Sequence, residues 1–155
     1  MSNYQNRIDF ISRTRQILVQ YEHNCNSEKT LFMNCCVGLL IMPQQCADHD
    51  KNISVDGLVD YENWGIDTTT ANEHRKGVDK NSIENIAYHI RNSICHYRFD
   101  IMNCNVENIE NIHIMDKSGD DVNAPITFDL ELSFDDFRKF VLKYADKLEE
   151  KLTNS

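Results

Sequence analysis

The sequence lacks any apolar stretch long enough to cross a membrane. Its longest apolar run, from Cys35 to Met42, is far shorter than the roughly 20 residues that a spanning helix needs. The N-terminal stretch contains no apolar segment of the signal-peptide type, so we expect a reducing, cytoplasmic location. In that environment Cys35, Cys36 and Cys95, which lie in predicted helices, are expected to be small buried apolar side chains rather than disulfide partners.

Basic residues are also scarce. The chain has 16 lysines and arginines against 25 acidic residues, which gives a net charge of −9 and a pI near 5.0. A broad nucleic-acid-binding surface is normally basic, so this balance argues against one. It does not exclude a local site, because a cleft can concentrate a few cations.

Several common catalytic and binding motifs are missing. There is no G-x-S-x-G nucleophile elbow, no phosphate-binding G-x-x-x-x-G-K-[ST] and no G-x-G-x-x-G. Cys46 and His49 form one metal-type pair without a second, and the acidic residues Asp116, Asp120 and Asp121 lack calcium-loop spacing and indicate a solvated turn. We therefore predict no metal site and no cofactor.

The periodicity that is present indicates a mainly α fold in a single domain over residues 1–155. Helices are predicted at 4–23, from about 28 to Met42 before Pro43, at 81–98 and from Ser133 to about Leu152. Alternating residues between Phe99 and Leu132 predict a small antiparallel sheet before the last helix. Residues 44–80 have little periodicity and are interpreted as an insertion, either a lid over a site or a disordered excursion.

The predicted helix at 81–98 is the most informative element. Asn81 and Glu84 suggest a capping box at its start. One face carries the apolar residues Ile83, Ile86, Ala87, Ile90, Ile94 and Tyr97. The opposite face carries the polar but uncharged row Asn85, His89, Asn92 and His96. A helix that faces water usually carries lysine and glutamate, so we expect this face to contact protein or a ligand, with a homodimer interface as the specific hypothesis.

The candidate chemistry on this helix is the segment from Arg91 to His96. Arginine presents a fixed positive fork to a phosphate, and histidine moves protons near neutral pH. Asn92 can hydrogen-bond an oxygen or orient the imidazole. Together these groups suit cleavage of a phosphodiester without a metal. In the alternative interpretation His96 interacts with the helix C-terminus and Arg91 forms a surface ion pair.

With these residues in view, the stretch IRNSICHYRF resembles the HEPN superfamily, specifically its small stand-alone bacterial and plasmid-encoded members. HEPN proteins are helical bundles with an Arg-x4–6-His motif, often with Asn directly after the Arg. The motif matches at Arg91, Asn92 and His96, and the resemblance extends from about Leu31 to Leu152.

The resemblance implies a metal-independent endoribonuclease of the toxin–antitoxin or phage-defence type. It also implies a homodimer in which two motifs share one cleft, RNA as the substrate, and an antitoxin as a further partner. Because the attacking 2′-hydroxyl belongs to the RNA, we expect DNA to be spared. Arg91, Asn92 and His96 are the expected catalytic residues, and Tyr97, His89 and Ser93 are expected to contact the substrate. The alternative is a non-catalytic HEPN module that binds a nucleotide or a protein partner.

Overall fold

The computed structural model describes residues 7–20, 28–41, 64–66, 82–102 and 111–153. The chain divides into two compact units, one formed by residues 1–55 with 141–155 and the other by residues 56–140. Each unit has its own buried apolar residues, and each is described by itself below.

The first unit is helical. It contains α1 (Arg7–Gln20), α2 (Glu28–Leu40) and the part of the last helix that follows Phe140; α1 and α2 pack against each other. Its fully buried side chains come from all three helices: Ile11, Cys36, Leu39, Leu40, Val141, Ala145 and Leu148. Burial, with Cys35 beside it, raises the pKa of the Cys36 thiol, which therefore stays protonated and packs as an apolar group.

In its described residues, the second unit contains one helix and a sheet, followed by the start of the last helix. In chain order these are α3 (Ile83–Cys95), β1 (Phe99–Met102), β2 (Asn111–Lys117), β3 (Ile126–Ser133) and α4 (Phe134–Thr153). The strands are antiparallel in the order β1-β2-β3. Alternate residues of β2 are buried, as the sequence predicts for a sheet with one covered face.

Both helices of this unit begin at a serine. Ser82, rather than the predicted Asn81, caps α3, and its hydroxyl accepts the backbone N–H of Asn85 at 3.1 Å. Ser133, as predicted, precedes α4, and its Oγ accepts the N–H of Asp136 at 3.1 Å while its hydroxyl donates to the Asp136 carboxylate at 2.7 Å.

Three residues of the predicted 44–80 insertion are described, and they are packed rather than solvated. Trp64 is 3% exposed, and its ring centroid lies 5.7 Å from that of Phe140. Gly65 has φ +75°, and a Cβ at this position would lie 2.8 Å from the backbone oxygen of Asp136. Glycine is therefore required where this segment meets α4. The rest of the proposed lid lies outside the described residues.

The fold is mainly α, with four helices and one three-stranded antiparallel sheet in the part of the chain described above. This confirms the predicted sheet before the last helix, whereas the bundle arrangement and the single domain stay predictions. None of the described helices is both long and apolar enough to span a membrane.

Three expectations about α3 are wrong in detail. The helix ends at Cys95, three residues earlier than predicted, so Tyr97 lies outside its apolar face and is 87% exposed. Cys95 is exposed instead of buried.

Candidate functional site

The polar row of α3 packs against β2 of the same chain. Asn85 is fully buried and His89 is 4% exposed. The imidazole of His89 stacks on Phe128, with ring centroids 5.0 Å apart and planes 6° apart. Both residues are therefore buried within a single chain, and His89 is covered by β2 and β3, so neither needs a second copy of the chain to cover it. The argument that a partner subunit must cover the polar groups of this face does not apply to these two residues.

Asp116 of β2 is the acceptor that this row contacts. Its Oδ2 lies 2.8 Å from Nδ1 of His89, and its Oδ1 accepts the side-chain amide of Asn92 at 2.9 Å and the N–H of Lys117 at 2.8 Å. The carboxyl is only 1% exposed. Asp116 was predicted to lie in a solvated turn, but it occupies an inward position of β2 after Ile112 and Ile114.

The surroundings of Asp116 favour its charged form. Burial alone would raise the pKa of this carboxyl. The hydrogen bonds from His89, the backbone N–H of Lys117 and Asn92 outweigh burial and hold the pKa below its ordinary value of 3.8. Asp116 is therefore a carboxylate at neutral pH, and Nδ1 of His89 must donate the hydrogen bond that joins them.

Arg98 connects this buried carboxylate to the surface. Its Nη1 donates to Oδ1 of Asp116 at 3.2 Å, and its Nη2 donates to Oδ1 of Asp120 at 2.8 Å. It also donates to the carbonyls of Lys117 at 3.5 Å and Gly119 at 2.8 Å. The guanidinium donates to these four acceptors and so stabilises the turn after β2. Arg98 is therefore a positioning group and not an available ligand for an anion.

His96 lies at the open end of the same chain of contacts. Its Nδ1 is 3.2 Å from Oδ1 of Asp120, and the two side chains are 42% and 81% exposed. The residue is the C-cap of α3, and its N–H donates to the carbonyl of Asn92. This distance is an ion-pair contact between two exposed side chains, and the accessible imidazole can transfer a proton through a ring nitrogen.

The backbone after His96 turns sharply. Tyr97 has φ +54°, its N–H donates to the carbonyl of Ile94 at 3.2 Å, and the N–H of Arg98 donates to the carbonyl of Ser93 at 2.8 Å. This pair of bonds is a Schellman motif with tyrosine where glycine is usual. A left-handed conformation costs about 1–2 kcal/mol for a residue with a side chain. The turn brings Arg98 back towards β2 and leaves His96 at the mouth of a pocket.

The pocket has a volume of about 380 Å³. Its lining combines α3 and the turn that follows it, β2 and the turn that follows it, and one residue of β3: Tyr88, His89, Asn92, His96, Arg98, Asp116, Lys117, Ser118, Gly119, Asp120 and Thr127.

The structure brings three of the six predicted site residues to this pocket: His89, Asn92 and His96. Arg91 is half-buried but does not line the pocket, because it lies about 140° around the helix from His96. Ser93 is fully buried, and its hydroxyl donates to the carbonyl of His89 at 2.7 Å, so it is closed to a substrate. Tyr97 is exposed and lies outside the pocket lining.

Sequence reasoning missed Arg98, Asp116 and Asp120 as site residues. One signal for Asp116 was available, because it continues the inward alternation of Ile112 and Ile114, where a carboxylate needs a partner. Nothing in the sequence marked Arg98, since its contacts depend on the pairing of β1 with β2.

Among the residues described, no group of three or more histidine, cysteine or acidic side chains is placed to hold a metal ion. Cys46 and His49 lie outside those residues.

The family model described as HEPN pEK499 p136 matches residues 1–155, and the chain belongs to this family. No curated protein and no solved structure matches the chain significantly. Membership suggests a nuclease or RNase-like module.

Proposed function

We propose that this protein is a metal-independent endoribonuclease with His96 as its proton-transfer group. The observation that carries the proposal is the placement of His96. Its imidazole lines the pocket and is partly open to solvent, and its Nδ1 lies 3.2 Å from Oδ1 of Asp120. An accessible imidazole beside a carboxylate is suited to general acid–base catalysis near neutral pH.

In the proposed reaction, the ribose 2′-oxygen attacks the adjacent phosphorus, and the bond from phosphorus to the 5′-oxygen breaks. The proton of the 2′-hydroxyl passes to a base, and the 5′-oxygen receives a proton as it leaves. The products are a 2′,3′-cyclic phosphate and a 5′-hydroxyl. His96 performs one of these two transfers, and Asn92 positions an oxygen or the imidazole.

Two copies of the chain explain the position of Arg91. This residue lies on a different side of α3 from His96, so within one chain the two do not share the pocket. In a homodimer whose motifs face one cleft, Arg91 of one copy binds the phosphate beside His96 of the other. There it stabilises the charge that grows in the transition state. Sedimentation at micromolar concentration tests this, and a monomer that still cleaves RNA would contradict it.

The central experiment compares cleavage of RNA by the wild type and by His96→Ala. We expect a loss of about 10²–10⁴-fold, with no cleavage of DNA of the same sequence and full activity in EDTA. The matched control is His113→Ala. Nε2 of His113 lies 2.7 Å from Asp129, so it forms a similar pair, but His113 does not line the pocket. If both alanine variants cut as fast as the wild type, His96 is not catalytic.

A non-catalytic binding module is the second candidate, and one observation favours it. The pocket's cations are already engaged, Arg98 by four acceptors and Lys117 by the carbonyl of Val122 at 2.9 Å, in a chain of net charge −9. Such a module would gain stability with a nucleotide or co-purify with a protein partner, and it would leave RNA intact.

Growth arrest on expression of the wild type but not of His96→Ala would instead support a toxin or defence role with a cognate antitoxin.

A further inference from the structure

Tyr97 combines a disfavoured backbone with an unburied side chain. Its φ of +54° places it at the position of the Schellman motif where glycine is usual. A bulky residue held in this region is an outlier, and such outliers cluster at functional sites. Folding alone would be served better by glycine or asparagine here.

The side chain of Tyr97 is not buried, so burial does not offset the backbone strain. The residue is 87% exposed, which is the largest value among the exposed large apolar side chains of the described residues. Its ring lies roughly parallel to that of Phe99, with planes 23° apart and centroids 6.4 Å apart, near the outer limit for an aromatic pair. Phe99 therefore makes only a distant contact with one face of the tyrosine ring, and most of the ring is exposed to solvent.

The neighbours of Tyr97 in the chain indicate what its ring binds. Tyr97 lies directly between His96 and Arg98, and both of these line the pocket. An exposed aromatic ring is a stacking surface for an unpaired nucleobase, and such stacking is tolerant of sequence. Bases in a duplex are already stacked on each other, so they are not available in this way.

We infer that Tyr97 is a stacking platform for one unpaired nucleobase of the RNA. This inference rests on the proposed function, because the stacked nucleotide holds the neighbouring phosphate at His96. The backbone strain at Tyr97 is tolerated because the residue binds substrate.

The test separates binding from cleavage by using the His96→Ala protein throughout. The probe is a short single-stranded RNA that carries 2-aminopurine, whose fluorescence falls when it stacks on an aromatic ring. On this background we compare Tyr97→Gly, Tyr97→Asn and Tyr97→Phe. Gly and Asn both suit the left-handed backbone, so the variants remain folded.

We expect Tyr97→Gly and Tyr97→Asn to raise the Kd for the RNA by about 5- to 150-fold, the loss of one stacked base. Tyr97→Phe should bind like the parent. The Gly variant should keep its Tm or gain about 2–4 °C, because the strain is relieved. Val122→Ala is the matched control, since Val122 is 84% exposed on the turn after β2 and does not line the pocket.

Three results would overturn the inference: an unchanged Kd in Tyr97→Gly, equal affinity for duplex RNA, or no binding of single-stranded RNA. A lower Tm with unchanged Kd would make the Tyr97–Phe99 contact structural. If the wild type never cuts RNA but Tyr97-dependent binding persists, the proposed catalysis fails and the stacking site stands. If cleavage depends on His96 but not on Tyr97, the stacking inference fails and the proposed catalysis stands.

Discussion

The two ends of the pocket carry the same kinds of side chain in different surroundings. At the inner end, Nδ1 of His89 contacts Asp116, and both side chains are at most 5% exposed. At the outer end, Nδ1 of His96 contacts Asp120, and the side chains are 42% and 81% exposed. Arg98 donates to both carboxylates.

Burial gives these two histidine–carboxylate pairs different roles. A buried charge must keep all of its partners, so the inner pair is expected to stabilise the fold. An exposed pair contributes little to stability but leaves the imidazole accessible. Chemistry that requires access to substrate is therefore expected at the outer pair alone, and the predictions below test that division.

The largest expected effect is on stability, from Asp116→Asn. Asparagine keeps one acceptor oxygen but not the charge, so His89 and Arg98 lose their buried anionic partner, and breaking such a pair costs about 3–5 kcal/mol. Urea unfolding at pH 7 measures the change. Asp120→Asn is the matched control and should change the free energy of unfolding by no more than about 1 kcal/mol. Similar losses of unfolding free energy in the two variants would mean that the buried pair and the exposed pair contribute equally to stability.

A smaller effect is expected from acid. Because the pKa of Asp116 is lowered in the folded state, its charge stabilises the protein at pH values above the ordinary value of 3.8. That contribution is lost as the pH falls below 3.8 towards the folded-state pKa. Other carboxyl groups titrate in the same range, so the quantity to follow is the difference in unfolding free energy between the wild type and Asp116→Asn.

This difference should be largest near neutral pH and should shrink as the solution is acidified below pH 3.8. A wild-type advantage over Asp116→Asn that does not change with pH would show that the charge of Asp116 contributes nothing to the fold.

The smallest expected effect is on catalysis, from Asp120→Asn. An exposed charged pair is worth about 0.2–1 kcal/mol, which corresponds to no more than about a fivefold change in rate. We expect kcat for RNA cleavage to fall within that range with KM unchanged, because Asp120 positions the imidazole without touching substrate. The difference should narrow at high salt, where exposed charges are screened. A loss as large as that of His96→Ala would make Asp120 a catalytic group in its own right.

Local signals in the sequence determined much of the fold. The spacing of Ile83, Ile86 and Ile90 predicts the helix, the alternation in β2 and β3 predicts the sheet, and Ser133 predicts the start of α4. These features arise from interactions between residues close together in the chain, so a pattern records them. The family resemblance was also readable from one segment, Arg91 to His96, and the family match over the whole chain agrees with it.

Only the tertiary structure decided which polar residues meet. Arg98 contacts Asp116 and Asp120, 18 and 22 residues away, because β1 pairs with β2 and the chain turns at Tyr97. Packing of α3 against the sheet buries Ser93 and His89 and leaves His96 exposed. A helical wheel places His89 and His96 on one face, and it cannot tell which half of that face the sheet will cover. Burial, which distinguishes the pair expected to stabilise the fold from the pair expected to be reactive, depends on contacts between segments that are distant in sequence.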